Sequence, residues 1–358
     1  MFVYLLRQIL YSLSILWGIA TLVFFLFNLL PADPTRLMLG QRSDISTADN
    51  IRHELGLDLP AWQQYTLYLN DLSPVAVLDF DNPDSHLFAD SSKYGHPTQL
   101  ISLGKRTLCL KAPFLRRSYQ SKKNVSEILR EAFPGTAVLA VTAILIAIFI
   151  GIILGIICAL NQNTTLDRTL LLLSVSGMSL PSFVAALLIL WLFAFLLGDY
   201  TGLPISGSLY EIDEFKGEHI VWKNLILPAI TLGIRPLSLV VQLTRNSVLD
   251  VLGLDYVRTA KAKGLSPIVV LFKHVLTNSL NPVITAISGW LASLMAGAVF
   301  VEMVFGWKGI GFMMLGALNN YDLPVVTGAV LLISVIFVVI NILTDLTYAI
   351  LDPRIRIK

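Results

Sequence analysis

Charge is what this sequence lacks most. Of its 358 residues, 14% are Asp, Glu, Lys or Arg and 55% are hydrophobic, and the mean hydropathy is +0.72. A soluble domain carries about a quarter charged residues, so long stretches here do not seek water. The net charge of +2 gives no electrostatic reason to expect nucleic acid as a partner. Two cysteines, Cys109 and Cys158, and five scattered His make no metal-ligand spacing, so neither a metal site nor a disulfide framework is expected. No GxxxxGK[ST] run is present to cradle phosphates, so the chain is not expected to hydrolyse ATP by itself. HExxH and GxSxG are also missing, which counts against an enzyme with a membrane-embedded active site. No cofactor is expected.

What the sequence does have is apolar length. A bilayer core of about 30 Å needs roughly 20 apolar residues in a helix. Six stretches qualify, at about 8–30, 135–160, 169–197, 225–243, 283–301 and 323–344. The first is too long for a cleaved signal and lacks a small-residue cleavage site, so it reads as a retained helix. Pro181 is expected to kink the third, and Arg235 stands near the middle of the fourth. The expected fold is therefore an all-α integral membrane protein of about six transmembrane helices.

Lys and Arg in short loops set the orientation. One set of loops carries Arg168, Arg245, Arg258, Lys261, Lys263 and Lys273, and then the tail residues Arg354, Arg356 and Lys358. The other carries Lys216, Lys223 and Lys308 beside Glu211, Asp213, Glu214 and Glu218. The first set is expected in the cytoplasm with both termini. This gives an N-terminal helix over 1–30, an external loop over 31–124, a membrane domain over 125–351 and a cytoplasmic tail over 352–358.

The segment 245–281 is too charged to span and too patterned for a linker. Asp255 is expected to cap a short helix running to about Lys263, Gly264 to end it, and Ser266 with Pro267 to start the next. Tyr256, Ala260 and Gly264 recur every four residues on one face, with Arg258 and Lys261 beside it. Such an element either transmits force to a cytoplasmic partner or lies on anionic lipid. The residues alone leave both open.

The segment YVRTAKAKGL, followed by NP, resembles the coupling loop of ABC importer permeases, with Ala260 and Gly264 at the matching positions. The acidic residue that often opens that pattern is replaced in the Arg258–Thr259 region, a basic version similar to the dipeptide and oligopeptide branch. LPSFVAALLILWLFAFLLGDYTGLPISG, VEMVFGWKGIG, NILTDLTYAILDPRIR, NLLPADP and ELGLDLPAWQQYTLYL resemble the same branch, so the likeness runs over nearly the whole chain. It implies a type I importer transmembrane domain in a bacterial inner membrane, with a coupling helix carrying Tyr256, Arg258, Ala260, Lys261 and Gly264. It also implies a second homologous permease, two ABC ATPase subunits and an external solute-binding protein. The implied cargo is di- or oligopeptides, with nickel chelates or glutathione as alternatives. A secondary transporter is the distant rival, and only Arg235 offers the midplane charge it would need.

The stretch 79–115 departs from the branch. Its turn formers and weak helical period suggest an insertion in the external loop, either tolerated at the surface or touching the binding protein. Arg235 is a candidate for the translocation path, where it would meet a peptide carboxylate. Its alternatives are a structural ion pair and a wet interface. Glu302, before GWKGIG, reads as a solvated helix end or as part of an outer gate.

Overall fold

The computed structural model describes residues 2–29, 58–83, 85–104, 106–213, 215, 217–295 and 298–351. The expected tail over 352–358 and all of 30–57 lie outside the described residues. The chain forms two compact units, one around Ala132–Met313 with Val335–Lys358, the other around Leu5–Glu131 with Met314–Ser334.

In the second unit, α1 (Phe2–Leu29) carries its apolar core on Leu10–Leu26 and packs on α2 (Ala61–Leu72). The contact is aromatic: the Phe24 ring lies 5.2 Å from Tyr65 and 5.3 Å from Tyr68, and Thr21 and Tyr65 share a hydroxyl hydrogen bond of 2.7 Å. This unit also holds a three-stranded sheet. Strands β1 (Val75–Asp79), β2 (Thr98–Leu103) and β3 (Arg106–Leu110) pair antiparallel in the order β1-β3-β2, with α3 (Ser91–Tyr94) between β1 and β2 in sequence. Ala76, Leu78 and Cys109 face one buried side under Tyr94. Asp71 ties α2 to this sheet: Tyr94 donates to its carboxylate at 2.7 Å, and Lys111 Nζ donates to its carbonyl at 2.6 Å. The stretch 79–115, with its turn formers and weak helical period, thus lies largely in a small antiparallel sheet that starts at Val75.

Among the described residues, three helices are long and apolar enough to cross a membrane. These are α4 (Val125–Leu160), α7 (Lys223–Leu252) and α13 (Leu323–Leu351), the last over Leu323–Leu346. Up to six spans result if each of three bent pairs counts as one. In the first pair, α5 (Thr165–Ser179) meets α6 (Ser182–Ile189, continued by a π-helical stretch Leu190–Leu196) at 111°. The cause is Pro181, which forces Leu180 out of the helical region to φ −75° and ψ 134°. The expected kink is therefore a full break. The expected span over 283–301 is also divided: α10 (Asn281–Met295) ends before α11 (Val299–Phe305) begins. Then α11 folds back on α12 (Ile310–Asn319) at 89° through Gly306, whose φ of +66° only glycine adopts cheaply.

The first unit is centred on α4 against α7. Gly151 and Gly155 lie one turn apart on α4, and an added Cβ would stand 2.7 Å from Val240 and 2.6 Å from Thr244. Small residues at this spacing let two helix backbones approach, which is how helices associate without a hydrophobic driving force. Leu139, Ala140, Ala143, Leu227, Ala229 and Trp307 fill the adjoining core. Cys158 and Cys109 are both buried free thiols.

Candidate functional site

The segment after α7 is built from local rules. Gly253 closes α7, Leu254 is extended, and α8 (Asp255–Ala262) begins at once. Asp255 does not cap this helix. It is the first helical residue, Leu254 holds the cap position, and the carboxylate pairs with Arg258 Nη1 at 3.7 Å in full solvent exposure. Such a pair contributes little. Gly264 ends the helix as expected, with φ +78°. Its N–H donates to the Lys261 carbonyl at 3.0 Å, and the Leu265 N–H donates to the Ala260 carbonyl at 3.4 Å. That is the paired closure of a Schellman motif. Ser266 then caps the helical segment α9 (Pro267–Ser279), accepting from the Val269 N–H with Pro267 at the first position.

The helix rests on an apolar footing. Val257 and Ala260 are buried with Val248, Val251, Val270 and Val275. Tyr256 Oη donates to the His274 carbonyl at 3.3 Å and accepts from Asn278 Nδ2 at 3.1 Å. Ala260 therefore faces the chain's own interior, 5% exposed. It does not share an outward face with Gly264, because the chain leaves helical geometry after Ala262. The outward ridge is Arg258, Thr259, Lys261, Ala262, Lys263 and Gly264, all exposed. An added Cβ at Gly264 would meet nothing within 4 Å.

Arg235 and Glu302 have opposite surroundings. Arg235 is exposed on α7, with its guanidinium carbon 6.0 Å from the centre of the Trp290 ring of α10. Among the described residues no carboxylate pairs with it, so the structural ion pair finds no support here. Glu302 is completely buried, which overturns the reading of a solvated helix end. Its Oε1 accepts from Thr136 Oγ1 at 2.9 Å and its Oε2 from the Phe312 N–H at 2.8 Å. Thr136 Oγ1 in turn accepts from the Ile310 N–H at 2.8 Å. The carboxylate and hydroxyl together satisfy orphan amides of the first turn of α12. Gly309 makes room for them, since a Cβ there would lie 2.4 Å from Thr136 Oγ1.

Residues 151–357 match the family described as the binding-protein-dependent transport system inner membrane component, and residues 1–82 match its N-terminal part. The chain belongs to this family. It is 32% identical to the dipeptide transport system permease protein DppB of Alkalihalophilus pseudofirmus, over 99% of this chain and all of that one. It is 32% identical to the di/tripeptide transport system permease protein DppB of Pseudomonas aeruginosa, over 95% and 94% of the two chains. It is 31% identical to the glutathione transport system permease protein GsiC of Escherichia coli, over 99% of each. Among solved structures, the inward-facing MetNI methionine ABC transporter superposes with a TM-score of 0.52 at 15% identity. That match covers 63% of this chain and 97% of the other, and it gives the fold: a type I ABC importer transmembrane domain.

Within this inner-membrane component the sequence reading missed one polar anchor. Asp167, near the start of α5, accepts from Arg245 Nε at 2.8 Å and from Arg245 Nη2 at 2.7 Å, with side chains 2% and 16% exposed. The Asn163 N–H completes the set at 3.0 Å. In the sequence, Arg245 stands out only as one of many basic loop residues. The pairing spans 78 positions, and no local pattern signals it.

Proposed function

We propose that the chain is the membrane-spanning permease subunit of an ATP-driven importer, taking up di- and oligopeptides delivered by an external solute-binding protein. The family membership and the named peptide permeases support the machinery and the cargo class. The observation that carries the mechanism is α8: a short basic ridge closed by Gly264 and backed by a buried apolar cluster. Such a helix can receive a push without deforming. In this reading two ABC ATPase subunits hydrolyse ATP. One docks on Arg258, Lys261 and Gly264, and its closure drives α8. A second homologous permease completes the path, and the pair alternates between inward- and outward-facing states. Ala260, Val257 and Tyr256 hold α8 to the membrane domain.

The loop charges support both termini and α8 in the cytoplasm, and the sheet β1–β3 outside. Glutathione is the second reading for the cargo, favoured by the relative named for it.

The test replaces Arg258 and Lys261 together by Glu, with the exposed Glu218→Lys as control on the antiparallel strand pair Tyr210–Asp213 and Gly217–Ile220. Like charges facing each other across an interface cost several kcal/mol. Uptake should fall about tenfold or more, and the ATPase subunits should co-purify poorly at unchanged membrane levels of the permease. Wild-type uptake and ATPase recovery in the double mutant would remove α8 as the docking element.

A further inference from the structure

The face of α7 that bears Arg235 is closed along one half and open along the other. At about 100° per residue, Asn224, Pro228 and Thr231 fall within about 40° of Arg235 on the side toward the start of the helix. All three are buried. Leu239, Gln242 and Asn246 fall within the same arc on the side toward α8, and none of them is buried. Arg235 thus stands at the head of an open strip about 16 Å long by helical rise, with two side-chain amides below it.

An exposed arginine in the middle of a spanning helix cannot be left facing lipid. A charge there costs several kcal/mol without water or a counter-charge. Within the chain the guanidinium has the Trp290 ring and, among the described residues, no carboxylate. Contact with an aromatic face leaves the N–H edge of an arginine able to bind a carboxylate in two-point fashion. The polar strip below supplies amide donors and acceptors of the kind a peptide backbone uses.

We infer that Arg235, seated on Trp290, is a carboxylate site on the translocation path, which takes the free C-terminal carboxylate of a peptide while Gln242 and Asn246 meet its backbone. The inference rests on the proposed peptide importer and adds selectivity within the permease itself. Any filter in the binding protein acts before this site.

The test uses the complex purified with its partner subunits but without the binding protein, titrated with alanylalanine and with its C-terminal amide. Trp290 is the reporter. Wild type should show a saturable change in tryptophan fluorescence with alanylalanine and none with the amide. Trp290→Phe and Arg235→Gln should lose the change, and Arg235→Lys should keep it with a weaker midpoint. A charged hydrogen bond of this kind corresponds to about tenfold to a hundredfold, so uptake of alanylalanine should fall by that factor in Arg235→Gln and recover in part in Arg235→Lys. The inference is overturned by an equal response to the amide, by no response in wild type, or by a response that survives in Arg235→Gln. Unchanged uptake in Arg235→Gln overturns it too. No ligand response in wild type together with lost uptake in Arg235→Gln would instead mark Arg235 as a contact to the second permease. If wild-type membranes show no ATP-dependent uptake of alanylalanine, the peptide-importer reading fails, while the titration still judges the carboxylate site.

Discussion

Replacing Glu302 by Ala should destabilise the membrane domain more than an outer-gate role would suggest. The substitution strips the acceptor from the Thr136 hydroxyl and from the Phe312 amide, both held around a completely buried carboxylate. Each orphaned buried donor costs about 1–3 kcal/mol. The sum is roughly 2–6 kcal/mol, before any cavity is counted. At about 2–4 °C per kcal/mol for a domain of this size, the apparent melting midpoint should drop by roughly 5–20 °C. Glu302→Gln keeps one oxygen, so it can serve one donor only and should lose about half as much. Thr136→Val orphans the Ile310 amide, and because it shares a bond with Glu302 the double mutant should lose less than the sum. The assay heats the detergent-solubilised complex and follows the monodisperse fraction by size exclusion. The reasoning is refuted if Glu302→Ala melts within about 2 °C of wild type. It is also refuted if Glu302→Gln stops uptake with an unchanged midpoint, since Glu302 would then act in gating and not as an anchor of α12.

Arg245→Ala should cost about 3–5 kcal/mol, because it leaves the buried Asp167 carboxylate alone, and Asp167→Ala, which leaves the partly exposed Arg245 guanidinium, should cost less. The double mutant should recover part of that loss in the same thermal assay, and strict additivity would show the pair to be uncoupled. Deleting 81–111 should sharply lower the yield of monodisperse complex. The deletion removes β2 and β3, uncovers Ala76 and Leu78, and takes away the Lys111 bond to Asp71. An undiminished yield would show that the sheet is dispensable.

The long helices were legible because nothing interrupts them: α4 carries no charge from Gly135 to Leu160, and its period hardly matters when the solvent is lipid. The end of α8 was legible for a local reason, since glycine followed by Ser-Pro stops one helix and starts another. The sheet is harder to see in the sequence, although its alternation is there. In VAVLD and RTLCL the residues alternate between buried and open sides, but the strands are only five residues long and the pairing breaks register between Gln99 and Ile101. Strands that short carry little period to count. The face shared by Ala260 and Gly264 does not form, because equal spacing implies a shared face only while the helix lasts. At the candidate site the sequence showed which residues were unusual, Arg235 and Glu302 among them. It could not show that one is open and the other sealed, since that depends on Trp290, Thr136 and Phe312, which lie far away along the chain or across a fold.

The junction between α7 and α8 has one more consequence. Only Gly253 and Leu254 separate the two helices, and both are held: the Gly253 N–H bonds to Asp250, the Leu254 N–H bonds to Val251, and the Leu254 carbonyl takes the N–H groups of Val257 and Arg258. No slack loop lies between them to absorb a displacement. Whatever moves α8 must therefore tilt or turn α7 as a lever about 45 Å long by helical rise, and the far arm of that lever moves in the opposite sense about any pivot along it. In the proposed importer, opening at one end and closing at the other are then a single motion of one continuous helix, with no separate signal needed to keep the two ends from being open together.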